Sequence, residues 1–586
     1  MNIIKNKITT LLLLGCSLLL VGCDGLFRES PKDKLSEESV WETPMLLDQY
    51  THSWYRNMNY GFSIYMPTNA LIKGLSREYL PWFGDQITVG KTEWFGTAYG
   101  DILKSNLTEV TRKGLLLWTS YYTEIQSINR LLENQHKIKE GAQKTRILGE
   151  AHFMRAYYYY LLWQRYGGVL LIEKNYNPIV DGKKFERASY SEMVDFIIAD
   201  VEKAIESLPE SHDAYNQGRA TKGAATMLKA KTYFWASSDF FQNREKYYLG
   251  FTDDRSAEMM RNAGLAYEEL MGMSYMLMPV AGASQDEIKN DYRQIFLTKN
   301  SVESIWEVRH SDDGNFSTGF GHKLDRESVP SSFGGTTAAY TPTQNHVDEY
   351  GMRAGSEYDA AHPYLNRDYR FYANVLYDGA EFRGKVLEIH YDKVDGKEVA
   401  GADLTPYGSS ESAAVTKTGY YMGKFVNEKQ KIDNDAVYGS SQNYIIWRYA
   451  EALLDYAELA LRQGKTDVAL NQVNQIRRRV QMHDRTSLTW EELVNERRIE
   501  MAFEETTYWD MIRWGIAYEK MCGATNPLTA MKIVCEEGEE PVYKISNLNK
   551  YPKRVRDFRT YQYYLPIPWD EIRYQGVEQN PGWVES

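Results

Sequence analysis

Six charged residues, Glu496, Arg497, Glu500, Glu504, Asp510 and Arg513, fall among Leu493, Met501, Phe503, Trp509, Ile512 and Trp514. The spacing predicts one helix over Thr489–Trp514, with Thr489 and Glu492 forming a capping box and Gly515 as its stop. Carboxylates on neighbouring turns of such a helix could share acid–base work. A structural network that locks the last helices together accounts for them better, because a charge on an apolar face must be paired. Other catalytic constellations are missing. Ten histidines are scattered without an HExxH, and there is no GxSxG elbow. Gly90-Lys91-Thr92 lacks the upstream glycine of a phosphate-binding loop. The 80 carboxylates leave a glycosidase pair open, since the separation such a pair needs is a spatial property. Asp433-Asn-Asp435 does not meet the calcium-loop pattern. No cysteine cluster supports zinc, so neither a metal nor a cofactor is expected.

Aromatic rings beside polar side chains offer a different chemistry. Sugar rings lay apolar C–H faces on indole or phenol rings, and their hydroxyls need nearby Asp, Asn or Arg to replace lost water. Two irregular stretches have this mixture. The first holds Trp82, Phe83 and Asp85, followed by Trp94 and Phe95. The second holds Asn315 and Phe316, with Phe320, Arg326 and Tyr340 downstream. These ten residues are the candidate ligand contacts. By contrast, Tyr157 to Tyr160 and Trp163 lie in a helical pattern and read as scaffold.

The elements that must position these residues are mainly α-helical. Helical periodicity marks Leu115–Lys139, Lys144–Tyr166, Ser191–Ser207, Lys222–Ala236, Ser256–Met271, Tyr444–Gln463, Asp467–Val480 and Thr489–Trp514. Short polar turns such as Gln463-Gly464-Lys465 join neighbours into helical hairpins, although no clean 34-residue period is present. The helical scaffold is therefore expected mainly at 110–272 and 444–515, and loop-rich regions mainly at 60–100 and 273–443. The longer loop-rich region carries a few short strands, Ser304–Arg309 and Val386–Tyr391, and a hairpin turn at Asp395-Gly396 between Glu388–Val394 and Lys397–Val399.

The 586 residues carry a net charge of −12 and no basic run, which disfavours nucleic acid and strongly anionic ligands. Aromatics make up 13% of the chain. Lys5 and Lys7 precede an apolar run from Ile8 to Val21, the layout of a signal peptide over residues 1–22. The run ends at Leu20-Val21-Gly22-Cys23, which resembles a bacterial lipobox and makes Cys23 the expected lipidation site. Leu13-Leu14-Gly15-Cys16 also fits, but cleavage there would leave SLLLVG exposed and an apolar region near its lower limit, so Cys23 is preferred. Residues 23–38 read as a polar tether and 39–586 as the folded domain. Cys522 and Cys535 could form a disulfide or remain two thiols.

Several blocks also resemble a known family in order. They are INRLLEN at Ile128–Asn134, Gly149–Ile172, Gly218–Ala236, Tyr444–Ala460, Asn495–Gly515 and Tyr564–Trp583. Together they are similar to the SusD/RagB family of Bacteroidetes surface lipoproteins, although Leu170 stands where the family commonly has proline. The resemblance implies a tetratricopeptide-like helical-hairpin scaffold and a lipid-anchored place on the outer membrane. It implies non-catalytic capture of an oligosaccharide and delivery to a SusC-like TonB-dependent transporter, with RagB-like peptide capture or a surface glycosidase as the alternatives. Under that expectation Trp82→Ala or Trp94→Ala weakens glycan retention without lowering the melting temperature.

Overall fold

The computed structural model describes residues 37–56, 58, 62, 80–90, 117–176, 182, 184–312, 321–405, 415–432, 439–550 and 555–584. Cys23 and the signal segment lie outside them, and the first described element is a helix at Glu37–Glu42. Helices Trp118–Glu133, Ala142–Tyr166, Tyr190–Ser207, Lys222–Ala236 and Ser256–Met271 pack each on the next, and Tyr449–Arg462 forms a hairpin with Thr466–Arg479. From Ile147 onward Ala142–Tyr166 is buried almost all round, so the run Tyr157–Tyr160 is core. Its exit is fixed by Gly167 at φ +74°, and at Gly168 any Cβ would lie 1.8 Å from the Ala188 carbonyl oxygen. Polar ties cross the helix pairs. Arg155 reaches Asp200 at 2.6 Å and Asn129 at 2.8 Å, while Asn129 donates to the Ile172 carbonyl at 2.7 Å.

Two helices differ from the sequence pattern. Tyr444–Arg448 is a strand, antiparallel to Ser304–Val308, and the helix starts at Tyr449. The strand pairs backbone groups of a fully buried segment and places Arg448 at the head of the helix. Thr489–Trp514 is two helices, Trp490–Glu500 and Thr506–Arg513, parted by an irregular segment in which Phe503 takes φ +64°. The expected capping box at Thr489 and Glu492 is present, and Gly515 takes φ +72° after the second helix.

Charged groups from distant segments occupy the break. Lys424 donates to the carbonyls of Glu500 and Ala502 at 3.2 and 2.8 Å, and Arg448 donates to the Glu500 carbonyl at 2.8 Å. A left-handed non-glycine residue costs roughly 1–3 kcal/mol, and these bonds satisfy the carbonyls that the break frees. The Glu500 carboxylate pairs with Arg448 at 2.8 Å, Arg370 at 3.1 Å and Arg479. Arg448 also reaches Glu303 and Glu504, both at 2.8 Å, and Arg370 reaches Asp368 and Glu496, both at 2.7 Å. On the next turns Arg497 bridges Asp455 at 2.5 Å and Asp510 at 2.6 Å, while Arg513 bridges Glu458 and Asp510. Burial alone would raise the Glu500 carboxyl, but Arg479, Arg448 and Arg370 outweigh it and hold it well below its ordinary 4.5. Glu504 and Asp510 are lowered by the same balance.

The loop-rich region holds more order than its composition predicts. Gln285–Leu297 and Tyr369–Asn374 are helices within it. Val386–Tyr391 is not one strand: Lys385–Val386 pairs with Glu381–Phe382, and Tyr391–Val394 pairs with Lys397–Ala400. The turn between the latter two is Asp395-Gly396, both at positive φ. This hairpin joins Thr529–Glu536 and Val542–Asn547 in a four-stranded sheet of order 542–547, 529–536, 391–394, 397–400. Cys535 lies on that sheet and Cys522 in a separate bridge to Asp557, and both are free thiols. No described helix is long and apolar enough to cross a membrane.

Replacing Arg448 by Met removes the one cation shared by Glu303, Glu500 and Glu504, leaving them to Arg479, Arg370 and Lys424, and urea unfolding should show a loss of about 3–5 kcal/mol. Because Glu500, Glu504 and Asp510 titrate below their unfolded values, their contribution is present above about pH 4.5 and is lost as pH falls further. The urea midpoint should therefore drop steeply below about pH 4 in the parent chain, and less steeply in Arg448→Met. Equal acid sensitivity in the two would remove the network as its cause.

Candidate functional site

The two aromatic stretches meet. Trp82 and Ala339 are 257 residues apart in sequence, yet the Trp82 indole N–H donates to the Ala339 carbonyl at 2.9 Å. The Trp82 and Tyr340 rings lie 5.5 Å apart. Backbone pairing sets this register: Ile87–Thr88 runs antiparallel to Thr341–Pro342, and the Gly90 N–H donates to the Ala338 carbonyl at 2.7 Å. A Cβ on Gly90 would approach the Thr337 and Ala338 oxygens within 3 Å, so only glycine permits this contact. On the other side the Met422 N–H donates to the Tyr340 carbonyl at 3.0 Å, which brings in the strand that pairs with Val375–Leu376.

Side chains bolt this locus to the Trp490–Glu500 helix. Asp85 pairs with Arg498 at 2.7 Å and accepts from Asn526 at 3.0 Å. Burial would raise the Asp85 carboxyl, but Arg498 and Arg556 hold it below its ordinary value. Arg498 also pairs with Glu349 at 2.5 Å, and Glu349 contacts His346 Nδ1 at 2.7 Å. The Gln86 side chain donates to the Arg498 carbonyl at 2.9 Å. His346 Nε2 contacts the Tyr350 hydroxyl at 2.9 Å. Burial pushes the His346 imidazole down more strongly than Glu349 pulls it up.

The structure thus gives the candidates different places. Trp82 is 1% exposed, Phe83 4%, Asp85 4% and Tyr340 0%. These four form the packed floor of the locus. Arg326 lies on the short helix Leu324–Ser328, half-buried, and its carbonyl accepts from the Thr336 N–H at 3.1 Å. Trp94, Phe95, Asn315, Phe316 and Phe320 lie outside the described residues, as does Asp433-Asn-Asp435. Sequence reasoning missed Arg498, His346 and Glu349 as positioning residues. Arg498 lies inside the charged stretch and was detectable there, whereas the other two become visible only through their spatial partners.

The charged helix residues are bound to one another. Glu500 is wholly buried among three guanidinium groups, and Glu496 pairs with Arg370 and with Arg477 at 2.7 Å. That arrangement is the structural network. A cavity of about 30 Å³ lies nearby, lined by Tyr160, Gln164, Lys231, Glu451, Asp510 and Arg513 among others. It has room for a water or two and none for a sugar ring. Among the described residues no group of three or more His, Cys, Asp or Glu could hold a metal ion.

Comparison with known proteins places this geometry in context. The family model described as "SusD family" matches residues 302–583, and that described as "Starch-binding associating with outer membrane" matches residues 79–234. A SusD-like protein of Formosa agariphila, P38, is 24% identical over 574 residues, which is 90% of this chain and 95% of the relative. The crystal structure of a SusD-like protein from Bacteroides fragilis superposes with a TM-score of 0.72 at 25% identity, covering 95% of this chain and 100% of that one. Surface glycan-binding protein A from Bacteroides thetaiotaomicron, solved with laminarihexaose, gives a TM-score of 0.61 at 18% identity, covering 92% and 99%.

The burial of Trp82 corrects the expectation that its removal leaves stability intact. Trp82→Ala should cost about 3–5 kcal/mol in denaturant unfolding. An unchanged unfolding midpoint would show that the indole is not core.

Proposed function

Because the chain belongs to the SusD family, we propose that it captures an oligosaccharide or polysaccharide at the cell surface without cleaving it. In this reading it is anchored through lipid on Cys23 and hands its cargo to a SusC-like TonB-dependent transporter, over which it acts as a lid. The observation that carries the reading is the convergence of the two aromatic stretches at Trp82 and Tyr340. The laminarihexaose bound to the B. thetaiotaomicron neighbour supports a glycan as the class of cargo. The description of the matching family model, "associating with outer membrane", supports the location. The role asks for moderate affinity, since a ligand held in the nanomolar range leaves too slowly to be handed on.

One structural feature favours peptide cargo as the second reading. The outer strands of the four-stranded sheet, Val542–Asn547 and Lys397–Ala400, are largely exposed and could pair with an extended chain.

Native gels cast with laminarin, starch, xylan or mannan, and calorimetry with casein peptides, separate these cargoes. At least one neutral glycan should retard the chain, peptides should give no heat of binding, and the incubated glycan should show no new reducing ends. Peptide binding without glycan retardation would contradict the proposal. So would reducing ends that accumulate and vanish when a single carboxylate is removed.

A further inference from the structure

Most buried polar side chains in this protein have partners, and the exceptions are informative. Arg326 Nε, Glu327 Oε2, Ser328 Oγ and Thr337 Oγ1 are all buried atoms without a hydrogen-bond partner. Three belong to consecutive residues of the Leu324–Ser328 helix. The fourth is held against that helix by two backbone bonds that bracket it, Thr336 N–H to the Arg326 carbonyl at 3.1 Å and Ala339 N–H to the Glu327 carbonyl at 2.7 Å. Glu327 is 8% exposed and Thr337 6%. The same bracket carries the Trp82–Ala339 bond, so these unused polar groups border the aromatic floor. Arg326 and residues 332–336 are half-buried, which gives the cluster a side open to solvent.

A buried carboxyl without a partner is costly, and Glu303, Glu500 and Glu504 are met by arginine or lysine while Asp325, Glu307 and Asp403 are met by neutral donors. The Glu327 Oε2 is met by neither. Burial pushes its carboxyl up to about 7, against the pull of Lys323 and Arg326. A structural role does not explain such an arrangement, whereas a ligand that completes it does.

We propose that Glu327, with Arg326, Ser328 and Thr337, forms a polar subsite that takes neighbouring hydroxyls of a neutral sugar. This deepens the glycan reading above and rests on it. A sugar hydroxyl donates to the Glu327 carboxylate and accepts from Arg326 or from the Ser328 and Thr337 hydroxyls. A sulfate or a uronate brings no hydrogen to Glu327 and sets a second negative charge against it. The subsite therefore selects neutral glycans.

The test uses Glu327→Gln and Thr337→Val in the full mature chain, with thermal unfolding and native gels cast with laminarin, starch, xylan or mannan. Polygalacturonate and fucoidan gels serve as the anionic probes. Each variant should weaken retention by the neutral glycan that retards the parent chain, by about tenfold or more for Glu327→Gln, as expected for a hydrogen bond to a charged group. Glu327→Gln should also unfold about 1–3 °C higher than the parent, because an unpaired buried carboxyl has been removed. A structural Glu327 gives the opposite sign, so a lower melting temperature would overturn the assignment. Parent retention that both variants keep would overturn it too, and would leave the glycan reading standing. Retention of the parent by the anionic gels alone would refute the neutral-sugar class. Retention by none of the gels would overturn the glycan reading and this subsite together.

Discussion

One buried carboxylate organises this molecule. Glu500 sits in the interior with three guanidinium groups around it, each from a different part of the chain. Arg370 comes from the loop-rich region, Arg448 from the junction of strand and helix, and Arg479 from the end of the hairpin Tyr449–Arg479. Burying a single such charge is prohibitive, and a cluster is tolerable only when geometry and hydrogen bonds are nearly complete. Here the requirement runs outward: Arg448 must also meet Glu303 and Glu504, and Arg370 must meet Asp368 and Glu496. Such a cluster need not add net stability over an apolar core. What it fixes is which segments meet, since any other pairing leaves a charge alone.

Much of this was legible before folding was considered. The charges on the apolar face of 495–515 announced a network, and Lys222–Ala236 and Ser256–Met271 were readable to the residue from periodicity. The break at 501–505 was not, because no Gly or Pro marks it. Its cause is tertiary: Lys424 and Arg448 take carbonyls that a continuous helix would have kept, and Phe503 bends into the left-handed region to release them. Tyr444–Arg448 was misread as helix for a related reason. Its apolar run is ambiguous in period, and only the partner strand at 304–308 settles it. At the candidate site, composition flagged two aromatic stretches but could not say that Trp82 and Tyr340 face each other inside. The groups left unused, Glu327 and Thr337 among them, carry no sequence signal at all. Being unpaired is a property of three-dimensional neighbours.

The frame and the site are therefore parts of one construction. Asp85 and Gln86 tie the first aromatic stretch to Arg498, two residues before Glu500 on the same helix. The second stretch is tied to the first by the Trp82 indole and the short strand pair. A binding site that relinquishes its cargo needs modest affinity, and a stiff floor keeps the loss of side-chain freedom on binding small. Irregular segments on a rigid scaffold are where such sites arise, and this scaffold is made rigid by charge as much as by its aromatic core.

Native-state hydrogen exchange tests that dependence most directly. Amides that are hydrogen-bonded within 85–90, 303–308, 344–350 and 371–374 should open with the same free energy as those of the Trp490–Glu500 helix, as one cooperative unit. Exchange of the 85–90 amides through small independent openings, while the helix stays protected to the global limit, would contradict the claim that the buried charges hold the aromatic floor in place.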